Sequence, residues 1–113
     1  MTLEILKDGD ALALRVADLF ALAAQESAAA RPRFAVALSG GETPRALYKL
    51  LARQQFSQKV PWRRTHLYCC DERCVPPDDP RSNFSMAKQA LLDRLAVPPA
   101  AVFRIAGELA PEV

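Results

Sequence analysis

Two adjacent glycines, Gly40 and Gly41, follow an apolar run in the segment ALSGGETPRALY at residues 37–48. Glycine has no Cβ, so its backbone N–H groups can approach a ligand closely. A helix that starts just after the glycines would add unpaired N–H groups and the positive end of its dipole. This combination suits a phosphate, with Ser39 and Thr43 as hydroxyl donors. A tight turn with Thr43 as the helix N-cap explains the same residues without a ligand, so the pattern alone leaves both interpretations open.

A second polar segment, DERCVPPDDPRSN at residues 71–83, contains Asp71 and Arg73. The planar guanidinium of Arg73 can donate two hydrogen bonds to a phosphate, a carboxylate or a developing oxyanion. Asp71 can orient this arginine or accept a hydrogen bond from a ligand hydroxyl. The alternative is an exposed Asp71–Arg73 ion pair, which would contribute little to stability. Ser82 is predicted to be the N-cap of the following helix.

The remaining reactive side chains are a single histidine, His66, and three cysteines close together in the chain, Cys69, Cys70 and Cys74. Histidine is the usual general base near neutral pH. His66, however, falls in the middle of a predicted strand, several residues before its carboxyl end, so we expect a structural role. An odd number of closely spaced cysteines predicts free thiols in a reducing compartment. A zinc site that uses His66 and the thiols would lack a C-x-x-C pair and a fourth ligand, so no metal is expected.

The first element that the apolar spacing predicts is a helix over residues 10–30. Asp10 is its predicted N-cap and Pro32 its stop signal. The residues predicted to form its buried face are Leu12, Val16, Leu19, Phe20 and Ala23.

Strands are predicted at Phe34–Leu38, Thr65–Cys70 and Val102–Ile105, with a helix in each interval between them. Pro44 fits the first turn of the second helix. The third helix is marked by Phe84, Ala87, Leu91 and Leu95. The order αβαβαβ predicts a three-layer, Rossmann-like α/β fold with a parallel sheet and right-handed crossovers. Because the strands point the same way, the two polar loops should meet at the carboxyl edge of the sheet, where ligands bind in such folds.

Length and composition limit the classes of protein that the chain can represent. Its 113 residues suffice for one small domain, and 50% hydrophobic with 25% charged residues is typical of globular proteins. A net charge of +2 without blocks of like charge argues against a nucleic-acid partner. The apolar stretch at residues 11–24 is too short, and too interrupted by Arg15 and Asp18, to cross a membrane. The first ten residues lack the pattern of a signal peptide, so we expect a cytoplasmic location.

Taken together, LSGGETPRALYKLL, Trp62 and DERCVPPDDPRSN resemble the 6-phosphogluconolactonase family. That family carries an SGG-x-TP segment, a DER-x-VP loop and a Ser-Asn pair that opens the next helix, in this order and at similar spacing. The wider superfamily includes glucosamine-6-phosphate deaminase, in which the corresponding segments typically read DEY and Ser-Tyr. Arg73 and Asn83 therefore favour the lactonase.

The resemblance implies a cytoplasmic enzyme of the pentose phosphate pathway that hydrolyses 6-phosphogluconolactone to 6-phosphogluconate, with no cofactor and no required metal. Its small-molecule partner would be the phosphosugar lactone. By the family pattern, the phosphosugar would be held by Ser39, Gly40, Gly41 and Thr43, and its reacting end would face Asp71 and Arg73. A positioned cation there would stabilise the tetrahedral oxyanion.

Two departures from the family pattern limit this expectation. The family's general base is a histidine in a later G-x-D-G-H motif, which this sequence lacks, and family chains are considerably longer. Residues 1–113 are thus expected to form the N-terminal part of a single phosphosugar-processing domain, apparently truncated and inactive alone. Glu42 stands where a small or hydroxyl residue is common and would have to point away from a phosphate. The alternatives are a non-catalytic phosphosugar-binding module and a relative of glucosamine-6-phosphate deaminase.

Overall fold

The computed structural model describes residues 3–95 and 97–110 of the chain. Its α-helices are α1 (Gly9–Ala30), α2 (Glu42–Leu51), α3 (Gln54–Ser57) and α4 (Asn83–Ala90), and its strands are β1 (Phe34–Leu38), β2 (Thr65–Cys69) and β3 (Val102–Phe103). Short 3₁₀ turns occupy Trp62–Arg64, Leu92–Arg94 and Pro99–Ala101.

The three strands form one parallel sheet in the order β1-β2-β3. Phe34 pairs with Thr65 at one end of β1, and Leu38 pairs with Cys69 at the other. The predicted α/β class, the parallel sheet and the alternation of helices and strands are therefore confirmed. Because Leu38 and Cys69 lie side by side, the loops that follow β1 and β2 leave the sheet at the same edge.

The hydrophobic core lies on one face of this sheet. Alternate β1 residues, starting with Phe34, pack against the helices, and Phe20 of α1 lies 5.4 Å from the ring of Phe34 and 6.0 Å from that of Trp62. The largest fully buried apolar side chains are Leu51, Leu67 and Leu91, one each from α2, β2 and the end of α4. Helices α2 and α4 contact each other on the same side of the sheet, as right-handed crossovers in the strand order β1-β2-β3 would place them.

The opposite face of the sheet is bare in the described part of the chain. Its side chains are Ala35, Ala37, His66, Tyr68 and Phe103. The rings of Tyr68 and Phe103 stack 4.8 Å apart, yet these residues remain 41% and 42% exposed. Parallel sheets are normally covered on both faces. Residues 3–95 and 97–110 thus supply two of the three layers that we expected.

Helix α1 begins and packs differently from the sequence prediction. Its N-cap is Asp8 and not Asp10, since Asp8 Oδ1 accepts a hydrogen bond from the N–H of Ala11 at 2.8 Å. The helix ends at Ala30, just before Pro32 as predicted. Among the described residues, no helix is long and apolar enough to cross a membrane.

The buried face of α1 is also different from the predicted one. It consists of Ala13, Ala17, Ala21, Ala24 and Ser27. Of the predicted face, Leu12 and Leu19 are 40% and 44% exposed, and Ala23 is exposed as well. Val16 and Phe20 are half-buried, and Phe20 packs against the core as expected. The leucine and alanine ridges of the helix are both apolar, so periodicity could not choose between them. Ala17 and Ala24 of the alanine ridge belong to the core cluster.

Three of the predicted element ends are also wrong. Strand β2 ends at Cys69 instead of Cys70. Strand β3 ends at Phe103 instead of Ile105, and α4 ends at Ala90 instead of continuing to Leu95, because Leu91 leaves helical geometry and a 3₁₀ turn follows. The predicted cap of α4 is confirmed: Ser82 Oγ accepts a hydrogen bond from the N–H of Ser85 at 3.1 Å.

Candidate functional site

The two polar loops meet in a shallow pocket of about 210 Å³ at the carboxyl edge of the sheet. Its lining residues are Ser39, Gly40, Gly41, Cys70, Asp71, Arg73 and Asn83. The backbone continues the strand pairing into the pocket, because the N–H of Cys70 donates to the carbonyl of Leu38 at 2.9 Å. The structure thus brings together five of the six residues that the sequence assigned to a site.

Thr43 is the sixth residue, and it does not line this pocket. It is exposed and borders a separate apolar depression of about 190 Å³ between α1, β1 and α2. Thr43 is also not the N-cap of α2, because the helix begins at Glu42 and its N-cap is Gly41. Thr43 is therefore the second residue of α2 and lies two positions beyond its N-cap.

The two glycines of the loop are required for different reasons. Gly41 has a φ of 105°, a conformation that residues with a Cβ rarely adopt. A Cβ on Gly40 would overlap the side chain of Asn83. Gly41 offers no side-chain cap, so the first N–H groups of α2 are left without such a partner at the positive end of the helix dipole. This arrangement suits an anion.

A buried tyrosine that the sequence analysis missed anchors the start of the glycine loop. The Tyr48 hydroxyl accepts a hydrogen bond from the N–H of Ser39 at 2.9 Å and donates one to the Ser39 carbonyl at 2.8 Å. Burial raises the pKa of Tyr48 to about 12, so the hydroxyl keeps the proton that it donates. Helical spacing puts Tyr48 on the buried face of α2 but gives no sign that its hydroxyl reaches back to β1.

Glu42, the residue that would repel a phosphate, is 87% exposed and is not among the pocket-lining residues. Its Oε1 atom lies 3.4 Å from Nε of Arg45, one turn further along α2, without hydrogen-bond geometry. The carboxylate is thus directed along the helix surface, as the phosphate interpretation requires.

Asp71 and Arg73 do not form the ion pair that was the alternative explanation for them. Asp71 instead accepts hydrogen bonds from Asn83 Nδ2, at 3.0 Å to Oδ1 and 3.4 Å to the backbone carbonyl. The guanidinium of Arg73 is exposed and has no hydrogen bond or ion pair within residues 3–95 and 97–110. It is available to a ligand in the pocket.

The carboxylate between them, Glu72, was not identified from the sequence. Its oxygens accept hydrogen bonds from Ser82 Oγ at 2.7 Å and from the N–H groups of Asn83 at 2.7 Å, Phe84 at 3.1 Å and Arg73 at 2.8 Å. Partial burial opposes ionisation of Glu72, but these hydrogen bonds outweigh it and hold its pKa below the ordinary value. No short-range motif links residues 72 and 82, so the spacing gives no warning of this contact.

His66 is placed as predicted, in the middle of β2 and away from the pocket. It lies on the bare face of the sheet, with its ring 5.6 Å from that of Phe103. Its Nδ1 atom is buried and has no partner in the described part of the chain. His66 and Cys69 lie on opposite faces of the sheet, so they do not converge on a metal. The residues described in the structure contain no group of three or more potential metal ligands.

The three thiols are free, and they differ in exposure. Cys69 is half-buried, and burial raises the pKa of its thiol. Cys70 is exposed and lines the pocket, where Ser39 Oγ lies 3.8 Å from its sulfur. Cys74 is exposed and does not line it.

Residues 7–113 match the profile of the family described as glucosamine-6-phosphate isomerases/6-phosphogluconolactonase. The 6-phosphogluconolactonase of Nostoc sp. is 43% identical over 97 residues, covering 86% of this chain and 39% of that protein. The enzyme of the same name from Treponema pallidum is 49% identical over 77 residues, covering 68% of this chain and 32% of the relative.

The fold comparisons agree with the sequence comparisons. The crystal structure of 6-phosphogluconolactonase from Thermotoga maritima matches with a TM-score of 0.84 at 31% identity, over 96% of this chain and 47% of that one. A monomeric glucosamine-6-phosphate deaminase matches with a TM-score of 0.83 at 20% identity, over 96% of this chain and 44% of the other, which is a likeness of fold alone.

The chain is short beside these proteins, since its matches cover only 32% and 39% of the two curated relatives. The matches nevertheless include nearly all of this chain, both in sequence profile and in fold. The chain therefore belongs to the glucosamine-6-phosphate isomerase/6-phosphogluconolactonase family.

Proposed function

We propose that the pocket binds a phosphosugar lactone and that the protein takes part in the hydrolysis of 6-phosphogluconolactone to 6-phosphogluconate. Residues 1–113 would form the N-terminal part of a single phosphosugar-processing domain in the cytoplasm. One observation carries the proposal: Gly41, the N-cap of α2 that offers no side-chain cap, and Arg73, whose guanidinium has no partner among the described residues, line the same pocket. The start of α2 is suited to a phosphate, and the guanidinium of Arg73 is suited to a second anionic or carbonyl group.

The geometry supports a division of roles between the two loops. The backbone N–H groups of the glycine loop at the start of α2 would hold the phosphate, and Asp71, held by Asn83, would accept a hydrogen bond from a sugar hydroxyl. Water attacks the lactone carbonyl, and the ring C–O bond then breaks to leave the hydroxy acid. Arg73 would stabilise the oxyanion that forms in between.

A second candidate function, binding without catalysis, is favoured by the position of His66. This residue is the only histidine in the sequence, and it lies on the bare sheet face, where it does not line the pocket. A general base typically contributes about 10²–10⁴-fold to such a reaction. The 113-residue chain would then hold the phosphosugar without catalysing its hydrolysis.

Calorimetry with 6-phosphogluconate and with gluconate tests the proposal, because the two ligands differ only in the phosphate. We expect 6-phosphogluconate to bind at least about tenfold more tightly, a difference that corresponds to one charge-assisted hydrogen bond. In the Gly41→Ala variant this preference should be lost, since a φ of 105° is strained once a Cβ is present and the loop N–H groups must turn.

Gly9→Ala is the matched control, because a Cβ at Gly9 would meet nothing within 4 Å. Equal affinity of the wild-type chain for the two ligands would refute the phosphate-binding role. A lactone-hydrolysis assay on the same sample separates the two candidate functions, since hydrolysis above the spontaneous rate contradicts binding without catalysis.

A further inference from the structure

The carboxylate of Glu72 lies at the junction of the second polar loop and the start of α4. One of its oxygens accepts from Ser82 Oγ and from the N–H of Phe84, and the other accepts from the N–H groups of Arg73 and Asn83. A single side chain therefore ties the first turn of a helix to the backbone of the loop that carries the unpaired guanidinium.

Asn83 extends this connection to the glycine loop. Its backbone N–H is held by Glu72, and its side-chain amide donates to Asp71. The other side of the same amide lies against Gly40, where even a Cβ would overlap it. Asn83 thus fills the space between the two loops, and its backbone position is set by Glu72.

We propose that Glu72 is a positioning residue that sets the distance between the glycine loop and the Asp71–Arg73 loop, acting through Asn83. Any effect of Glu72 on phosphosugar affinity rests on the proposed function. The coupling between the two loops is a property of the unliganded chain. The loop is also supported by Gly107, which packs so closely on the carbonyls of Arg73 and Val75 that a Cβ there would overlap them. Movement of the loop is therefore restricted by this contact as well as by Glu72.

A positioning residue and an ordinary helix cap predict different results when Glu72 is substituted. Loss of a cap loosens the first turn of its own helix. Loss of a positioning residue should also loosen residues 39–44, which belong to a different loop and which Glu72 does not contact. Hydrogen–deuterium exchange measured by mass spectrometry resolves the two segments in the 113-residue chain.

We expect Glu72→Gln to accelerate exchange about tenfold in peptides covering residues 82–86, a size typical of a lost cap. A similar acceleration is expected within residues 39–44 at the amide of Ser39, whose N–H donates a hydrogen bond to the Tyr48 hydroxyl. Asn83→Ala keeps the backbone contacts of Glu72, so it should accelerate exchange in residues 39–44 and leave residues 82–86 nearly unchanged. Asp8→Ala is the matched control: it removes the carboxylate cap of α1 and should affect only the start of that helix.

Faster exchange confined to residues 82–86 in Glu72→Gln would overturn the proposal, because Glu72 would then be a helix cap and nothing more. If that variant unfolds as a whole, Asn83→Ala decides, and unchanged exchange in residues 39–44 overturns the proposal. Repeating the measurement with 6-phosphogluconate separates the two hypotheses. If the ligand protects residues 39–44 in the wild type and protects them less in Glu72→Gln, both the proposed function and the positioning role are supported. If the ligand does not protect these residues in the wild type, the proposed function is contradicted. The exchange rates measured without ligand then decide the role of Glu72.

Discussion

Arg73 stands in the pocket without a carboxylate partner among the described residues, although Asp71 is only two positions away. Asp71 instead accepts a hydrogen bond from the side-chain amide of Asn83. An unpaired guanidinium on a pocket wall keeps its full capacity for two parallel hydrogen bonds.

We expect Arg73→Lys to weaken 6-phosphogluconate binding about tenfold without lowering the melting temperature. Lysine keeps the charge but loses the planar fork that contacts a carboxylate with two hydrogen bonds. Calorimetry and a thermal melt measure the two effects. Arg63→Lys is the control, because this exposed arginine precedes β2 at the opposite edge of the sheet. Unchanged affinity would make Arg73 a solvated surface residue.

Gly40→Ala should destabilise the chain by about 1–3 kcal/mol, whereas Gly9→Ala should be close to neutral. The new Cβ displaces the amide of Asn83, which then gives up its hydrogen bonds to Asp71. Urea unfolding of both variants gives the comparison. A Gly40→Ala variant as stable as the wild type would mean that Asn83 can move away at no cost.

At the scale of elements, the start of α4 is held by two side chains from different parts of the chain. Ser82 is the local N-cap, and Glu72 adds a carboxylate from ten residues earlier, at the end of the helix where negative charge is favourable. The two caps also contact each other through the Ser82 hydroxyl. Helix α4 therefore begins at a point that is fixed relative to the loop after β2.

The low pKa of Glu72 predicts a pH dependence with a definite sign. Its folded-state pKa lies below the ordinary value of 4.5, so its contribution to stability is complete above that pH and is lost as the pH falls through the folded-state value. We expect Glu72→Gln to be less stable than the wild type by about 1–3 kcal/mol at neutral pH. The gap should close as the pH falls through the folded-state pKa of Glu72.

Urea unfolding of both proteins across this range measures the gap. Taking the difference between the two proteins removes the contributions of the other carboxylates that they share. A gap of constant size at all pH values would show that the charge of Glu72 does not stabilise the fold.

At the scale of the whole molecule, the sheet is covered on one side only by the residues described. The aromatic stack of Tyr68 and Phe103 is exposed there, beside the small side chains of Ala35 and Ala37. In addition, β1 and β3 are both edge strands with backbone groups open to pairing. Exposed apolar surface and open edges both favour association.

We therefore expect the purified 113-residue chain to be oligomeric or aggregated. We also expect it to lack lactonase activity, because its single histidine does not line the pocket. Size-exclusion chromatography with light scattering, together with a lactone-hydrolysis assay, measures both properties. Phe103→Lys should shift the distribution towards monomer because it places a charge on the bare face, whereas Lys88→Arg on the surface of α4 should not. A monomeric wild-type chain with clear activity would contradict this expectation and would make His66 a candidate general base.

The sequence by itself determined the features that depend on near neighbours in the chain. The strand Phe34–Leu38 was predicted with the correct bounds because an apolar run ends there at glycines. The cap at Ser82 and the helix end before Pro32 follow from local backbone chemistry in the same way. The family resemblance, which rested on two loop motifs, is confirmed by the profile match.

The tertiary structure alone decided the features that depend on residues far apart in the chain. The Tyr48 hydroxyl meets Ser39, and the Glu72 carboxylate meets the start of α4, only after the helices have packed on the sheet. The alanine ridge of α1 is buried because its small side chains pack closely on the core. Helical periodicity cannot predict this, because the alanine ridge and the leucine ridge are both apolar. Hydrogen bonds and packing contacts act between atoms in space, and spacing along the chain carries information about them only within a turn or a strand.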